Sequence, residues 1–355
     1  MLLFESLYND SLNLLEGLLH IEALSGKEKK KADVLFEQLR VWGLNPQRLE
    51  NNVWLDFHPP HATKTIWMHS HMDTVPATSS WESKPFEGNW YDGKLIALGS
   101  NDAGASVVSM LAAFRWLVAS EFPERLIWVA GAEEENSGPN GISSLLNILP
   151  PADLALIGEP TGMKAAVAER GLMVVDGVVY GKAGHAARNE VDNSIYKAMA
   201  DIDFYRRVRF DKVSDTLGEV GLNLTIIHAG NKHNSIPDAC YYTLDIRLNE
   251  HYTHDEVLHY LQANTLGELS CRSKRMKASA TPKEHEIWAV LNKLGMEVYG
   301  SPTLSDWALI PYPSIKIGPG DSARSHTAEE YILATEIEEA ITGYVKLISN
   351  YGKQN

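Results

Sequence analysis

The side chains of this 355-residue chain that could do chemistry are gathered in a few short stretches. His71 and Asp73 stand two apart in HSHMDTVP, and Asp102 follows a Gly-Ser-Asn turn. Glu134 and Glu135 are adjacent in GAEEENSG, Glu159 lies in IGEPT, and His326 lies in GPGDSARSHTAEEY. Imidazole nitrogens and carboxylate oxygens are donors that Zn²⁺ accepts, about four to an ion. Two imidazoles and these carboxylates can hold two ions if one carboxylate bridges, since the donors are otherwise too few. Two metals about 3.5–4 Å apart can share a water and lower its pKa. A carboxylate left without a metal can then serve as general base. Taken singly, each stretch has a plainer reading. An HxD pair in a loop is more often structural, an acidic triplet is more often a solvated turn, and an Asp after Gly-Ser-Asn is usually a turn or N-cap residue. Their order and common placement carry the argument.

That placement comes from the elements around them. Apolar spacing predicts helices over 2–20 and 27–42, the second ending at Gly43. Apolar runs over 64–68, 95–98, 125–130 and 154–157 each end in a polar or Gly-rich turn, and a helix is expected over 105–120. Strands alternating with helices indicate an α/β fold with a mainly parallel sheet. In such sheets ligands bind beyond the carboxyl ends of the strands, and each acidic or His cluster falls at such an end. The middle of the chain reads differently: a strand over 172–180, a helix over 193–208, strands over 221–229 and 240–248, a helix over 253–265 and a strand over 268–276. That order is a ferredoxin-like βαββαβ unit. The expected organisation is therefore one domain of residues 1–163 and 278–355, interrupted by an inserted domain over 164–277. A helix over 283–299, a strand over 314–317 and a closing helix over 328–350 return the chain to the first domain.

Composition agrees with two folded domains. A chain of 355 residues suits one large core and one smaller one. Hydrophobic residues make up 44% and charged residues 22%, ordinary for a globular protein. The formal net charge of −14 disfavours nucleic acid or an anionic membrane as partner. Cys240 and Cys271 do not form a disulfide framework, so a reducing, cytoplasmic setting is expected. The first twenty residues carry Glu5, Asp10 and Glu16 without a basic leader, and read as an amphipathic helix instead of a signal peptide. No uninterrupted apolar run approaches membrane-spanning length.

Taken together, the motifs from His71 to Glu330 resemble the acetylornithine deacetylase / succinyl-diaminopimelate desuccinylase family of di-zinc metallohydrolases. The resemblance implies a zinc-dependent exopeptidase-like catalytic domain and makes the insertion a lid and dimerisation domain. It implies that His71 is a zinc ligand and that Asp73 orients its ring. Asp102, ending Gly99–Asp102, would bridge the ions, with Glu159 beside His71 on one and Glu135 with His326 on the other. Glu134 would be the general base, and the peptide joining Asp102 to Ala103 would be cis. This chain departs from many members in having Asp102-Ala103-Gly104 where they read Asp-Met-Lys, and in having Glu133 where relatives often have Asp. Asn136-Ser137-Gly138 keeps the family's spacing and favours Glu134 over its neighbour as base.

In the inserted unit, His185 matches a residue that relatives use to stabilise the oxyanion from the partner subunit. Asn234 in NSIPD, Arg247 in DIRL and Arg170 in ERG match, or resemble, positions that bind the substrate carboxylate or the reacting centre. Plainer roles stand beside these: Arg247 as an ion-pair partner and His185 as a turn cap. His58, His61, His69 and His233 match nothing and read as structural or surface, and neither cysteine reads as a nucleophile.

The implied activity is hydrolysis of the amide bond of a small N-acyl amino acid, with N-acetylornithine in arginine biosynthesis foremost. N-succinyl-ornithine, N-acyl-citrulline and succinyl-diaminopimelate are close alternatives. A dipeptidase or carboxypeptidase would use the same metal set, and a binding protein that kept the fold without catalysis is the non-enzymatic alternative. Two Zn²⁺ ions are expected, with Co²⁺ or Mn²⁺ as substitutes, in a homodimer joined through the lid.

Overall fold

The computed structural model describes residues 4–188 and 192–352. It divides into two compact units. The first comprises the chain up to Val167, Ala280–Tyr299 and the chain from Ser305 onward; the second comprises Ala168–Ser279 and Gly300–Leu304. Residues 2 and 3 of the first expected helix lie outside the described residues; the helix runs over Phe4–Leu19.

The first unit is built on a mixed, mainly parallel sheet. Thr65–His71 runs parallel to Arg125–Gly131 on one side and to Leu154–Ile157 on the other. Ser314–Lys316 continues parallel to Leu154–Ile157. Asn52–Phe57 joins antiparallel to Arg125–Gly131, and Gln47–Leu49 folds back on it as a hairpin. Strands of this kind read as continuous apolar runs because both faces are covered. Leu126, Trp128 and Ala130 enter one core cluster, while Ile127 and Val129 enter a second across the sheet with Trp54, Trp67 and Trp307. Successive side chains on a strand point to opposite faces, so one short run serves both cores. Fully burying each large apolar side chain is worth about 1.5–3 kcal/mol. Trp128 also donates its indole N–H to the Val107 carbonyl at 3.2 Å, leaving no polar group orphaned.

The helix Ala105–Ala119 packs between the sheet and the helices Phe4–Leu19 and Ala334–Tyr351, with Ala105 through Phe114 buried. By length and composition the segment Ser100–Ala119 could cross a membrane, yet Asp102 and Arg115 interrupt it and most of it is buried in this core.

Two more expectations are corrected near the end of the chain. Residues 283–299 are not one helix: Ile287–Lys293 is helical and Val298–Ser301 is a strand. Gly295 has φ +64°, and a left-handed glycine just past the last turn stops a helix. The closing helix starts at Ala334, preceded by the strand Tyr331–Leu333, which pairs with Lys94–Ile96. The Glu336 carboxylate accepts the Leu333 N–H at 2.9 Å and sets that boundary.

The second unit has a four-stranded antiparallel sheet ordered Gly221–Ala229, Ala239–Leu248, Gly171–Tyr180, Glu268–Cys271. The helices Ser194–Arg207 and His254–Asn264 make the crossovers, which gives the ferredoxin-like βαββαβ arrangement. Asn193 caps the first helix through the Ile195 N–H, and Thr253 with Glu256 forms a capping box on the second. The last strand ends at Cys271, short of the expected 276. Gly177 is required where it stands, because a Cβ there would lie 2.2 Å from the Tyr242 ring.

Candidate active site

Each candidate ligand in the first unit follows a strand or a tight turn. His71 is the last residue of Thr65–His71. Glu134 and Glu135 follow Arg125–Gly131, and Glu159 lies two residues beyond Leu154–Ile157. Asp102 follows Gly99, whose φ of +81° turns the chain. The Asp102–Ala103 peptide is cis. His326 comes in the loop after Ser322–Arg324.

The five converge on two clusters, His71/Asp102/Glu159 and Asp102/Glu135/His326, each with donor atoms within 4.8 Å of one another. His71 Nε2 lies 3.2 Å from Asp102 Oδ1 and 3.7 Å from Glu159 Oε1. His326 Nε2 lies 3.1 Å from Glu135 Oε2 and 3.8 Å from Asp102 Oδ2. Asp102 thus turns one oxygen to each cluster. Donors about 2.0–2.2 Å from a tetrahedral ion stand about 3.4 Å apart, and the four separations bracket that value. Each cluster supplies three donors, which leaves a coordination position open, as catalytic zinc sites do. Glu134 is not in either donor set; its Oε2 is 4.0 Å from His71 Nε2.

Buried acids hold these segments in place. Asp73 accepts the main-chain N–H groups of Glu134 at 3.2 Å and Glu135 at 3.1 Å. His71 Nδ1 faces the Asp73 carbonyl at 3.2 Å and its carboxylate at 3.4 Å. Two acceptors there place the ring proton on Nδ1 and free Nε2 for a metal. Glu330 accepts the N–H groups of Gly99, Asn101 and Asp102 at 3.2, 2.8 and 2.9 Å.

The electrostatics of the metal-free cluster ask for cations. Burial pushes the Glu134 carboxyl well above the usual range, with the charges of Glu159, Asp306 and Glu135 adding to it against His71. Burial and then Asp102 push Glu159 up to about 8. Glu330 is raised to about 7 by burial and by Asp102, its three N–H bonds opposing. Burial works against a charged His71, yet the Glu134 charge and the bonds to Asp102 and Asp73 outweigh it and raise it well above normal. His326 is raised to about 9, chiefly by its bond to Glu135. Asp102 and Asp73 lie below the usual range: burial opposes their charge, and the His71 bond overcomes it. So many carboxylates cannot all ionise side by side without added positive charge, and the donor set fits two divalent ions.

The remaining sequence candidates belong to the second unit. His185 pairs with Ser235 between the short strands Gly184–His185 and Ser235–Ile236, and its Nδ1 accepts the Ala187 N–H at 3.2 Å. Asn234 is its neighbour, the Asn234 carbonyl accepting the Ala186 N–H at 3.1 Å. Arg247 forms a two-pronged pair with Asp245 at 2.7 and 3.0 Å. Arg170 donates to the carbonyls of Leu217, Glu219 and Arg247, so its guanidinium is committed to backbone inside this unit.

Sequence reasoning missed Glu330, Glu28, Lys31 and Asp306. His69, read as structural or surface, is buried and pairs with Asp306 at 2.7 Å. Gly131 makes room for its ring: a Cβ there would lie 2.6 Å from His69 Cε1. The one sequence signal was that His69 and His71, two apart on a strand, share a face.

Two candidate metal positions that share one carboxylate, a buried acid beside them outside both donor sets, and strand ends that converge on both fit a metal-dependent hydrolytic centre. Residues 67–350 match peptidase family M20/M25/M40. The chain belongs to that family and is one of its metal-dependent amide hydrolases. It is 31% identical over 209 residues to succinyl-diaminopimelate desuccinylase of Buchnera aphidicola subsp. Cinara cedri, spanning 53% of this chain and 55% of that relative. It is 26% identical over 311 residues to acetylornithine deacetylase of Proteus mirabilis, spanning 81% and 80%. The fold resembles the crystal structure of the Bacillus subtilis YXEP protein, a dinuclear metal binding peptidase of the M20 family, with TM-score 0.73, 14% identity and coverage of 99% and 100%.

Proposed function

We propose that this protein is a di-zinc deacylase of small N-acyl amino acids, with N-acetylornithine as foremost substrate and arginine biosynthesis as its setting. The observation that carries the metal assignment is Asp102, which faces His71 with one oxygen and His326 with the other. His71, Asp102 and Glu159 would hold one ion; Asp102, Glu135 and His326 would hold the other. When bound, such a pair polarises a carbonyl and makes water acidic enough to attack at neutral pH.

The chain's own groups do the rest. Asp73 keeps the His71 ring in register through Nδ1. Glu134 is a base held close to the cluster yet outside it. It takes the proton of the attacking water as the new C–O bond forms, and returns it to the amine nitrogen as the C–N bond breaks. A carboxylate and a free amino acid leave. His185 would steady the oxyanion, and Asn234 with Arg247 would bind the substrate's carboxylate end. Arg170, committed to carbonyls, would hold the Leu217–Glu219 turn.

The same machinery would serve a dipeptidase or carboxypeptidase, a reading favoured by the likeness to a dinuclear metal binding peptidase. Purified protein loaded with Zn²⁺ should release ornithine from N-acetylornithine faster than it cleaves N-succinyl-ornithine, N-acetyl-citrulline, succinyl-diaminopimelate or a dipeptide panel. Preference for a dipeptide would replace the deacylase reading. The assembly would be a homodimer joined through the second unit, in a reducing, cytoplasmic setting. Its edge strand Gly221–Ala229 exposes Ile226 and Ile227, and unpaired edges invite pairing across a two-fold axis. Both cysteines are free thiols.

A further inference from the structure

One charged side chain is sealed into the first unit without belonging to the ligand set. Lys31 sits in the first turn of the helix Lys29–Val41 and is 3% exposed. Lysine is almost never fully buried without a purpose for its charge, because stripping water from an ammonium is costly. Its Nζ donates at 3.1 Å to the carbonyl of Met72, the residue between His71 and Asp73. The acids that act on it are Asp73, Glu28 and Glu330. Each of these holds a segment that carries or borders a candidate ligand. Asp73 accepts the N–H groups of Glu134 and Glu135, and Glu330 accepts those of Gly99, Asn101 and Asp102. Glu28 accepts the Glu133 N–H at 3.2 Å and the Gly26 N–H at 2.5 Å.

We propose that Lys31 is a positioning residue of the metal centre, tying down the Met72 carbonyl and supplying the internal cation around which Asp73, Glu28 and Glu330 hold the ligand-bearing loops. The inference rests on reading His71, Asp102, Glu135, Glu159 and His326 as metal ligands. The physical reason is mutual repulsion. Asp73 has His71 beside it, but without Lys31 the three buried carboxylates lose a positive charge that acts on all of them, and any that protonates or moves releases N–H groups that aim a ligand.

Lys31→Met tests this, since methionine nearly matches the length of lysine and carries no charge. Removing one charge from a buried set can strongly destabilise the fold, so metal binding is read on protein whose circular dichroism shows it folded. On that protein a fold-only role for Lys31 predicts unchanged metal binding. Zinc affinity is measured by competition with a chromogenic chelator, and ligand geometry by the visible absorption of the Co²⁺-loaded protein. The wild type should take up two ions; if it takes up none, the ligand reading itself fails, apart from any result on Lys31. Given that control, Lys31→Met should bind zinc at least tenfold more weakly and show an altered Co²⁺ spectrum. Weakening of less than threefold, an unaltered spectrum, or tighter binding overturns the proposal. Should Lys31→Met not fold, Lys31→Gln, which keeps a donor for the Met72 carbonyl, is measured in the same way and by the same thresholds. If neither folds, Lys31 serves folding and the proposal falls.

Discussion

Glu330 accepts the main-chain N–H of Asp102 at 2.9 Å. A residue in the last tenth of the chain therefore aims the carboxylate that the two candidate metal positions share. Glu330→Gln keeps the shape but turns an amide N–H₂ toward donors. We expect a loss of about 1–3 kcal/mol of stability from unmet buried N–H groups. Zinc affinity should weaken about 10–100-fold, as when outer-shell partners of metal ligands are removed. Thermal unfolding and zinc content after dialysis check both; unchanged zinc retention would remove Glu330 from the site's support.

Glu134 and Glu135 should separate under mutation. Glu134→Ala should lower kcat by about 10²–10⁴-fold with both ions retained, because a base can be lost without losing a donor. Glu135→Ala should release metal. Atomic absorption beside steady-state rates decides, and the reverse pattern would show that base and ligand are exchanged by one position.

Metal-free protein should lose stability as pH rises from about 6 to about 8. Glu159 and Glu330 are raised to about 8 and about 7, and His326 to about 9. A folded state that holds protons more tightly than the unfolded chain is favoured at low pH, and that advantage fades as pH climbs through the folded values. Lys31, lowered to about 8 by burial against its three acids, works the other way only above that value. Bound zinc displaces these protons, so the gap in Tm between zinc-loaded and metal-free protein should widen with pH. A gap that narrows between those limits would contradict the ligand set.

His185 should act in trans. It belongs to the second unit, while the proposed ligands and base belong to the first. Glu134→Ala and His185→Ala chains, each inactive alone, should regain activity when mixed into hybrid dimers, because one of the two sites then has both residues intact. Hybrid dimers isolated without activity would place His185 outside the reaction or in its own chain's site.

The parts of the centre legible in the sequence are those whose signal is local. Apolar runs at 125–130 and 154–157 mark strands, and an acid just beyond such a run stands out by type and place. Lys31 and Glu330 carry no such signal, because their partners are main-chain groups 41 and 228 or more positions away. The strand Asn52–Phe57 was not anticipated, being defined by antiparallel pairing with Arg125–Gly131 instead of by a crossover helix. Tyr331–Leu333 was read as helix for a related reason: three residues show no periodicity, and their conformation is dictated by Lys94–Ile96. For Arg247 and Arg170, motif and residue type suggest a ligand; the fold adds what they do not carry, the Asp245 pair of the one and the carbonyl partners of the other.

The two candidate clusters differ in how far apart in sequence their donors lie. His71, Asp102 and Glu159 come from one stretch of the sequence, whereas His326 lies 191 residues beyond Glu135. The turn that presents Asp102 is gripped by Glu330, the strand that follows Glu330 pairs with Lys94–Ile96, and the last helix packs on Ala105–Ala119. Contacts of such long sequence separation cost more loop-closure entropy than local ones. The second candidate position is therefore a long-range staple: an ion held there would tie together segments 191 residues apart, whereas an ion at the first would tie segments of one continuous stretch.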